Sequence, residues 1–182
     1  MEYPKIIQGG MGIGVSNWTL ARTVSKLGQL GVVSGTAVDA VLARRLQLGD
    51  LGGHIQRAFE NFPFPEMARR IFDQYFVSGG KPENQPFKAI PFHSHQSSQS
   101  LTELTVLANF TEVFLAREGH DGLVGINFLE KIQTPTLPSL YGAMLAGVAF
   151  VLMGAGIPRT IPGILDDLAV GKPVKLRLDV EE

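Results

Sequence analysis

The chain has 182 residues, 45% hydrophobic and 18% charged, with seventeen acidic side chains offsetting sixteen basic ones to a formal net charge of −1. That is enough apolar material to bury one core, and no global field draws the chain to nucleic acid or anionic lipid. The absence of cysteine excludes disulfide scaffolds, thiolate zinc sites and thiol nucleophiles, and fits a reducing compartment such as the cytoplasm.

Taken in chain order, Met1-Glu2-Tyr3-Pro4-Lys5 is too polar to read as a secretory signal. Ile6-Ile7-Gln8 reads as a short buried strand, ended by Gly9-Gly10-Met11-Gly12. Ser16 or Asn17 can cap the helix that follows, whose apolar residues Leu20, Ala21, Val24 and Leu27 recur at helical spacing until Gly28 and Gly31 stop it. Val32-Val33-Ser34-Gly35 is a second buried strand. Two strands joined by one helix make a βαβ unit with parallel pairing.

Residues 39–48 read as helical, and 66–76 as an amphipathic helix with Met67, Ile71, Phe72 and Tyr75 on one side. Residues 79–100 are loop-like, with Pro82, Pro86, Pro91 and the polar run from His95 to Ser100. The segment 49–122 is too long for a simple crossover and is expected as a helical and loop insertion over one rim of the fold. Alternation then resumes: a helix over 101–117 leads to a strand at 123–128, a helix at 138–146 to a strand at 148–153, and a helix at 161–169 to a strand at 174–178. The uncharged stretch 132–158 imitates a membrane span, but Pro135, Pro138, Gly147 and Gly154-Ala155-Gly156 divide it into a buried helix and a buried strand. Five strands alternating with helices predict a single α/β domain over 1–182. No membrane partner is expected, and the scattered basic residues give no nucleic-acid interface.

The chemistry concentrates at the carboxyl ends of these strands. The first ends in Gly10-Met11-Gly12, the second in Ser34-Gly35-Thr36, the third near Asn127, and the fourth in Gly154-Ala155-Gly156. In parallel α/β folds such ends share a rim where ligands bind. Residues without bulk let a flat ring approach the backbone, and one carboxamide can both donate and accept. A planar, hydrogen-bonding heterocycle fits that pattern. A dinucleotide fingerprint does not, because Val15 stands where its third glycine belongs and Asp39 lies past the end of the second strand. No phosphate-binding Gly-Lys-Ser/Thr follows either.

The run from Pro4 to Gly12, then Val24-Ser25-Lys26-Leu27-Gly28 and Leu30-Gly31-Val32-Val33-Ser34-Gly35, resembles the opening of the nitronate monooxygenase (2-nitropropane dioxygenase) family. Gly125-Ile126-Asn127-Phe128 and the stretch from Val151 to Pro158 are similar to that family's third and fourth strand motifs. FMN-dependent enoyl-ACP reductases share them. The resemblance implies a TIM (β/α)8 barrel holding FMN at its carboxyl rim, with Gly10, Met11 and Gly12 along the flavin, Asn127 hydrogen-bonded near it, and Gly154 and Gly156 beside it. A complete barrel takes about 250 residues and grips phosphate with loops after its seventh and eighth strands. The sequence ends at Val180-Glu181-Glu182, so the expectation is an incomplete barrel of about five βα units, lacking the family's later histidine motif and phosphate site. No catalytic base is assigned.

His93-Ser94-His95 has the spacing of two metal ligands, but its Ser/Gln-rich surroundings favour a solvated loop and no metal. His120 reads as a helix-end cation, His54 carries no signal, and Trp18 reads as core. Three functions follow. One is FMN-dependent oxidation of alkyl nitronates with molecular oxygen. Another is FMN-dependent enoyl-thioester reduction with NAD(P)H as donor. The last is a non-catalytic fragment, or a subunit completed by a second polypeptide, for which the uncovered sheet edges predict homo-oligomers or a complementing chain.

Overall fold

A computed structural model describes residues 3–179. The chain is mixed α/β: a three-stranded parallel sheet in the order β1-β2-β3, embedded in helices. The elements are α1 (Trp18–Lys26), β1 (Gly31–Ser34), α2 (Val38–Gln47), α3 (His54–Glu60), α4 (Pro65–Tyr75), α5 (Gln99–Arg117), β2 (Val124–Leu129), α6 (Thr136–Leu145), β3 (Phe150–Gly154) and α7 (Ile161–Ala169).

The helices start and stop where local chemistry dictates. Asn17 caps α1 by accepting from the Leu20 N–H, and Ser98 caps α5 by accepting from Leu101 N–H. At the far end of α1, Gly28 takes φ +74°. Its N–H donates to Ser25 O and that of Gln29 to Val24 O, a Schellman closure that favours a residue without Cβ. Pro65 and Pro162 stand in the first turns of α4 and α7, where a missing N–H costs nothing.

Helix α5 is the centre of the molecule. Leu104, Leu107, Val113 and Leu115 are among the most deeply buried side chains, and almost every residue between Leu101 and Ala116 is buried. A helix buried on every side must be covered on every side, and α5 packs on α1, α2, α3, α4 and α6 as well as on the sheet. Against α6 the approach is very close: a Cβ on Gly142 would sit 2.1 Å from Val106 O. The segment 49–122 is therefore not a cover over a rim alone. Its last helix fills the core.

In the sheet, Ser34 is in register with Asn127, Asn127 with Leu152, and Leu129 with Gly154. Side chains alternate between faces. Val33, Val124, Ile126 and Phe128 join the helical core, while Val32, Asn127 and Leu152 face the other way. On that second face Tyr3, Pro4, Ile7 and Leu30 line one open apolar concavity of about 320 Å3 together with Phe150 and Leu152 of β3.

Two expected strands differ from expectation. Ile6-Ile7-Gln8 makes a single parallel bridge, Ile7 to Leu30, because the Gln8 side chain takes over the ladder: its Oε1 accepts from Val32 N–H at 2.9 Å. Residues 174–178 alternate in burial but join no ladder. Leu176 instead lines a cavity with Met153 and Pro158, and the Gln133 carboxamide binds Asp179 through its backbone N–H (2.8 Å) and side chain (3.4 Å). Val180, Glu181 and Glu182 lie outside the described residues. The uncharged stretch 132–158 divides into α6 and β3, although β3 is half-buried throughout and not buried as expected. Among the described residues no helix is long and apolar enough to cross a membrane.

Candidate functional site

The loop after Gln8 is built from side chains that replace secondary structure. Gln8 Nε2 donates to Ser16 Oγ at 3.1 Å. Ser16 Oγ lies within hydrogen-bonding distance of Gly9 O (3.0 Å) and Met11 O (2.8 Å). Ser34 N–H, at the end of β1, donates to Ser16 O at 2.8 Å. Of the two capping candidates, Asn17 caps the helix and Ser16 ties the loop. A second lock comes from α5. Buried Glu112 accepts from Trp18 N–H at 2.9 Å and pairs with Arg45 of α2. Burial pushes the Glu112 carboxyl up from its ordinary range, and Arg45 opposes that shift. The first turn of α1 thus rests on an acid supplied by another helix.

This scaffold sets Gly10 directly on β1 and β2. Gly10 is buried, and a Cβ there would lie 2.3 Å from Val32 Cγ1 and 2.8 Å from Asn127 Cβ. Asn127 is only 9% exposed, and its Oδ1 is buried with no hydrogen-bond partner. A buried acceptor left unpaired is costly, so such an atom marks either strain or a ligand position.

The remaining rim residues surround that contact more loosely. Met11 is 53% exposed, and Gly12, at φ +95°, turns the loop outward. Gly154 sits at the tip of β3 in register with Leu129, two residues beyond Asn127, and the nearest atom to a Cβ there is Leu129 Cδ2 at 3.6 Å. Ala155 takes φ +61°, after which Gly156 packs on the Glu130 side chain. Gly154 and Gly156 lie at or just past the end of β3, and Gly10, Met11 and Gly12 follow the Ile7 bridge. Asn127 instead stands inside β2, two residues before its end, with Gly10 on it as the direct contact. None of the six lines the enclosed cavities described here.

The largest change from the sequence reading is His93. It belongs to no free loop: its Nε2 lies 2.6 Å from Asp39 Oδ2. Asp39, considered above as a ribose acid, is buried in the first turn of α2, where its Oδ1 accepts from Ala40 N–H at 2.8 Å. Both residues, with Asn109 of α5, line an apolar cavity of about 280 Å3 beside the ends of β1 and β2. Composition hid this pairing, since the partners are far apart in sequence. The one local hint was an acid in a helix's first turn. His95 stays exposed, and the described residues hold no group of three or more side chains suited to a metal.

Trp18, His54 and His120 make contacts within the scaffold. Trp18 packs against the core and faces His54, ring centroids 5.0 Å apart. His120 follows α5, with its Nε2 2.7 Å from Ala116 O and its Nδ1 3.0 Å from Gly122 N.

Comparison with known proteins gave no family model, no curated protein and no solved structure that matches this chain.

Proposed function

We propose that the rim around Gly10 and Asn127 is part of an FMN site in an incomplete TIM-type barrel, and that the activity is oxidation of alkyl nitronates with molecular oxygen. The observation that carries this reading is the unpartnered, buried Asn127 Oδ1 beneath a loop whose closest residue has no side chain. An acceptor held in that way suits an imide-type N–H of a planar heterocycle. The motifs shared with nitronate monooxygenases supply the choice of flavin over other planar rings. Bound FMN would supply the electron acceptor, and this chain's residues would bind and orient it. Asn127 would hold a ring edge, Gly10 and Gly12 would keep the backbone free of bulk, and Met11 would cover the ring as an exposed, flexible apolar side chain.

The parallel order continued by the Ile7–Leu30 bridge, and the concavity shared by Tyr3, Ile7, Phe150 and Leu152, support a curved sheet of barrel type. A second reading, completion by another polypeptide, is favoured by the far edge of β3: among the described residues no strand pairs with it.

Titration of the purified chain with FMN tests the proposal. Quenching of flavin fluorescence with a shifted absorbance spectrum supports it, and no uptake rejects it. Turnover of an alkyl nitronate with oxygen, against an enoyl thioester with NAD(P)H, separates the two enzymatic chemistries.

A further inference from the structure

The cavity behind His93 is a site of its own, lined by none of the six rim residues. It lies between the first turn of α2, the middle of α5, the start of α6 and an irregular strap through Ile90 and His93. Its walls are mostly apolar, with Val38, Ile90, Phe128 and Leu129 prominent. At about 280 Å3 it falls near the lower end of small-molecule sites, which run from about 300 to 1,000 Å3.

The strap is fixed at two points. The buried Gln47 carboxamide clamps Lys88, accepting from its N–H at 2.6 Å and donating to its carbonyl at 3.1 Å. The second point is His93 on Asp39. Asp39 is itself held, because Ala40 N–H donates to its Oδ1. Mostly apolar walls favour an uncharged occupant, because a charged one would lose its hydration with little in return.

Asn109 gives the polar recognition. It is 0% exposed and its Nδ2 donates to Thr105 O at 2.9 Å, while its Oδ1 has no partner. A fully buried carboxamide with an idle acceptor, in the wall of an apolar cavity, lacks one donor. We propose that this cavity binds a small, uncharged, largely apolar molecule whose head group donates a hydrogen bond to Asn109 Oδ1; a short-chain primary amide is its simplest form. The inference does not depend on flavin binding, and its test uses none.

The test titrates the full chain with hexanamide and with methyl hexanoate, which has a similar chain and no donor, following the methyl NMR signals of Ile90 and Leu129. Hexanamide is expected to shift those signals and to bind about tenfold more tightly, the discrimination a buried unpaired acceptor gives. Asn109→Leu, which removes the idle acceptor, should erase the preference without lowering the melting temperature. Equal affinity for the two probes in the unmodified protein overturns the proposal. A preference that survives in Asn109→Leu overturns it as well. So does the absence of any shift at Ile90 and Leu129, which would mean a cavity holding water only.

Discussion

Gly9 and Gly10 are neighbours in sequence and opposites in environment, and a Cβ added to each separates the account from its rivals. At Gly9 nothing lies within 4 Å of an added Cβ, whereas at Gly10 that atom would meet Val32 Cγ1 at 2.3 Å and Asn127 Cβ at 2.8 Å. Val32 is fully buried on β1 and its branched side chain is stiff, so it cannot yield by a rotamer change. Carbon atoms rest about 3.5–4.0 Å apart, so the loop must lift by roughly 1.2 Å. Overpacking of that size costs about 1–3 kcal/mol, and the reduced freedom of the unfolded chain returns up to about 1 kcal/mol. Gly10→Ala should therefore lose about 1–2 kcal/mol, and Gly9→Ala should gain up to about 1 kcal/mol. At about 2–4 °C per kcal/mol for a chain of this size, the two melting temperatures should move in opposite directions. Thermal and urea melts of the pair are the assay. Equal melts, or a Gly10→Ala protein more stable than its parent, would refute the close contact between the loop and Asn127.

Three further outcomes follow from the scaffold. Glu112→Ala removes the partner of Arg45 and the acceptor of Trp18 N–H together, and should cost about 3 kcal/mol by urea denaturation, the low end for a broken buried pair because Arg45 can reach water. Glu112→Gln keeps an acceptor for Trp18 and should cost less; a reversed order would count against the helix-anchoring role. The Arg57 guanidinium, hydrogen-bonded to Glu118, holds the Glu118 carboxyl below its ordinary range, and Arg70 does the same to Glu103. A depressed folded value means that this stability is present above the unfolded value near about 4.3 and is lost as the pH falls through the folded one. Urea midpoints should therefore drop on acidification below that range, less steeply in Glu118→Gln, and an unchanged slope in that variant would show the pair contributes nothing.

Much of the helical framework was legible because its signals are local. The apolar spacing of Met67, Ile71 and Tyr75 and the Asn17 cap before α1 each act within a few turns. Strands at the margins were less legible, because pairing depends on a partner that the strand's own residues do not specify. Ile6-Ile7-Gln8 has a strand's composition, yet Gln8 spends its side chain on the ladder and leaves one bridge. Residues 174–178 keep a strand's alternation while Gln133 holds their end elsewhere. Polar pairs across long separations were invisible for the same reason: Asp39 meets His93, and Glu112 meets Arg45 and Trp18, only after α5 has filled the core. The Gly154-to-Gly156 turn was legible as the end of a strand. That Gly10 would press on Asn127 while Gly156 turned to Glu130 was not, because both glycines look alike in the chain.

Ligand binding at the rim turns on Asn127. FMN affinity measured for the parent and for Asn127→Leu, alongside the melting temperature of each, separates a ligand acceptor from a strained core residue. The expected result is at least about a tenfold loss of FMN affinity in a protein that melts no lower, since the replaced carbonyl had no partner to lose. Undiminished FMN binding by Asn127→Leu, or a parent protein that takes up no flavin, would contradict it.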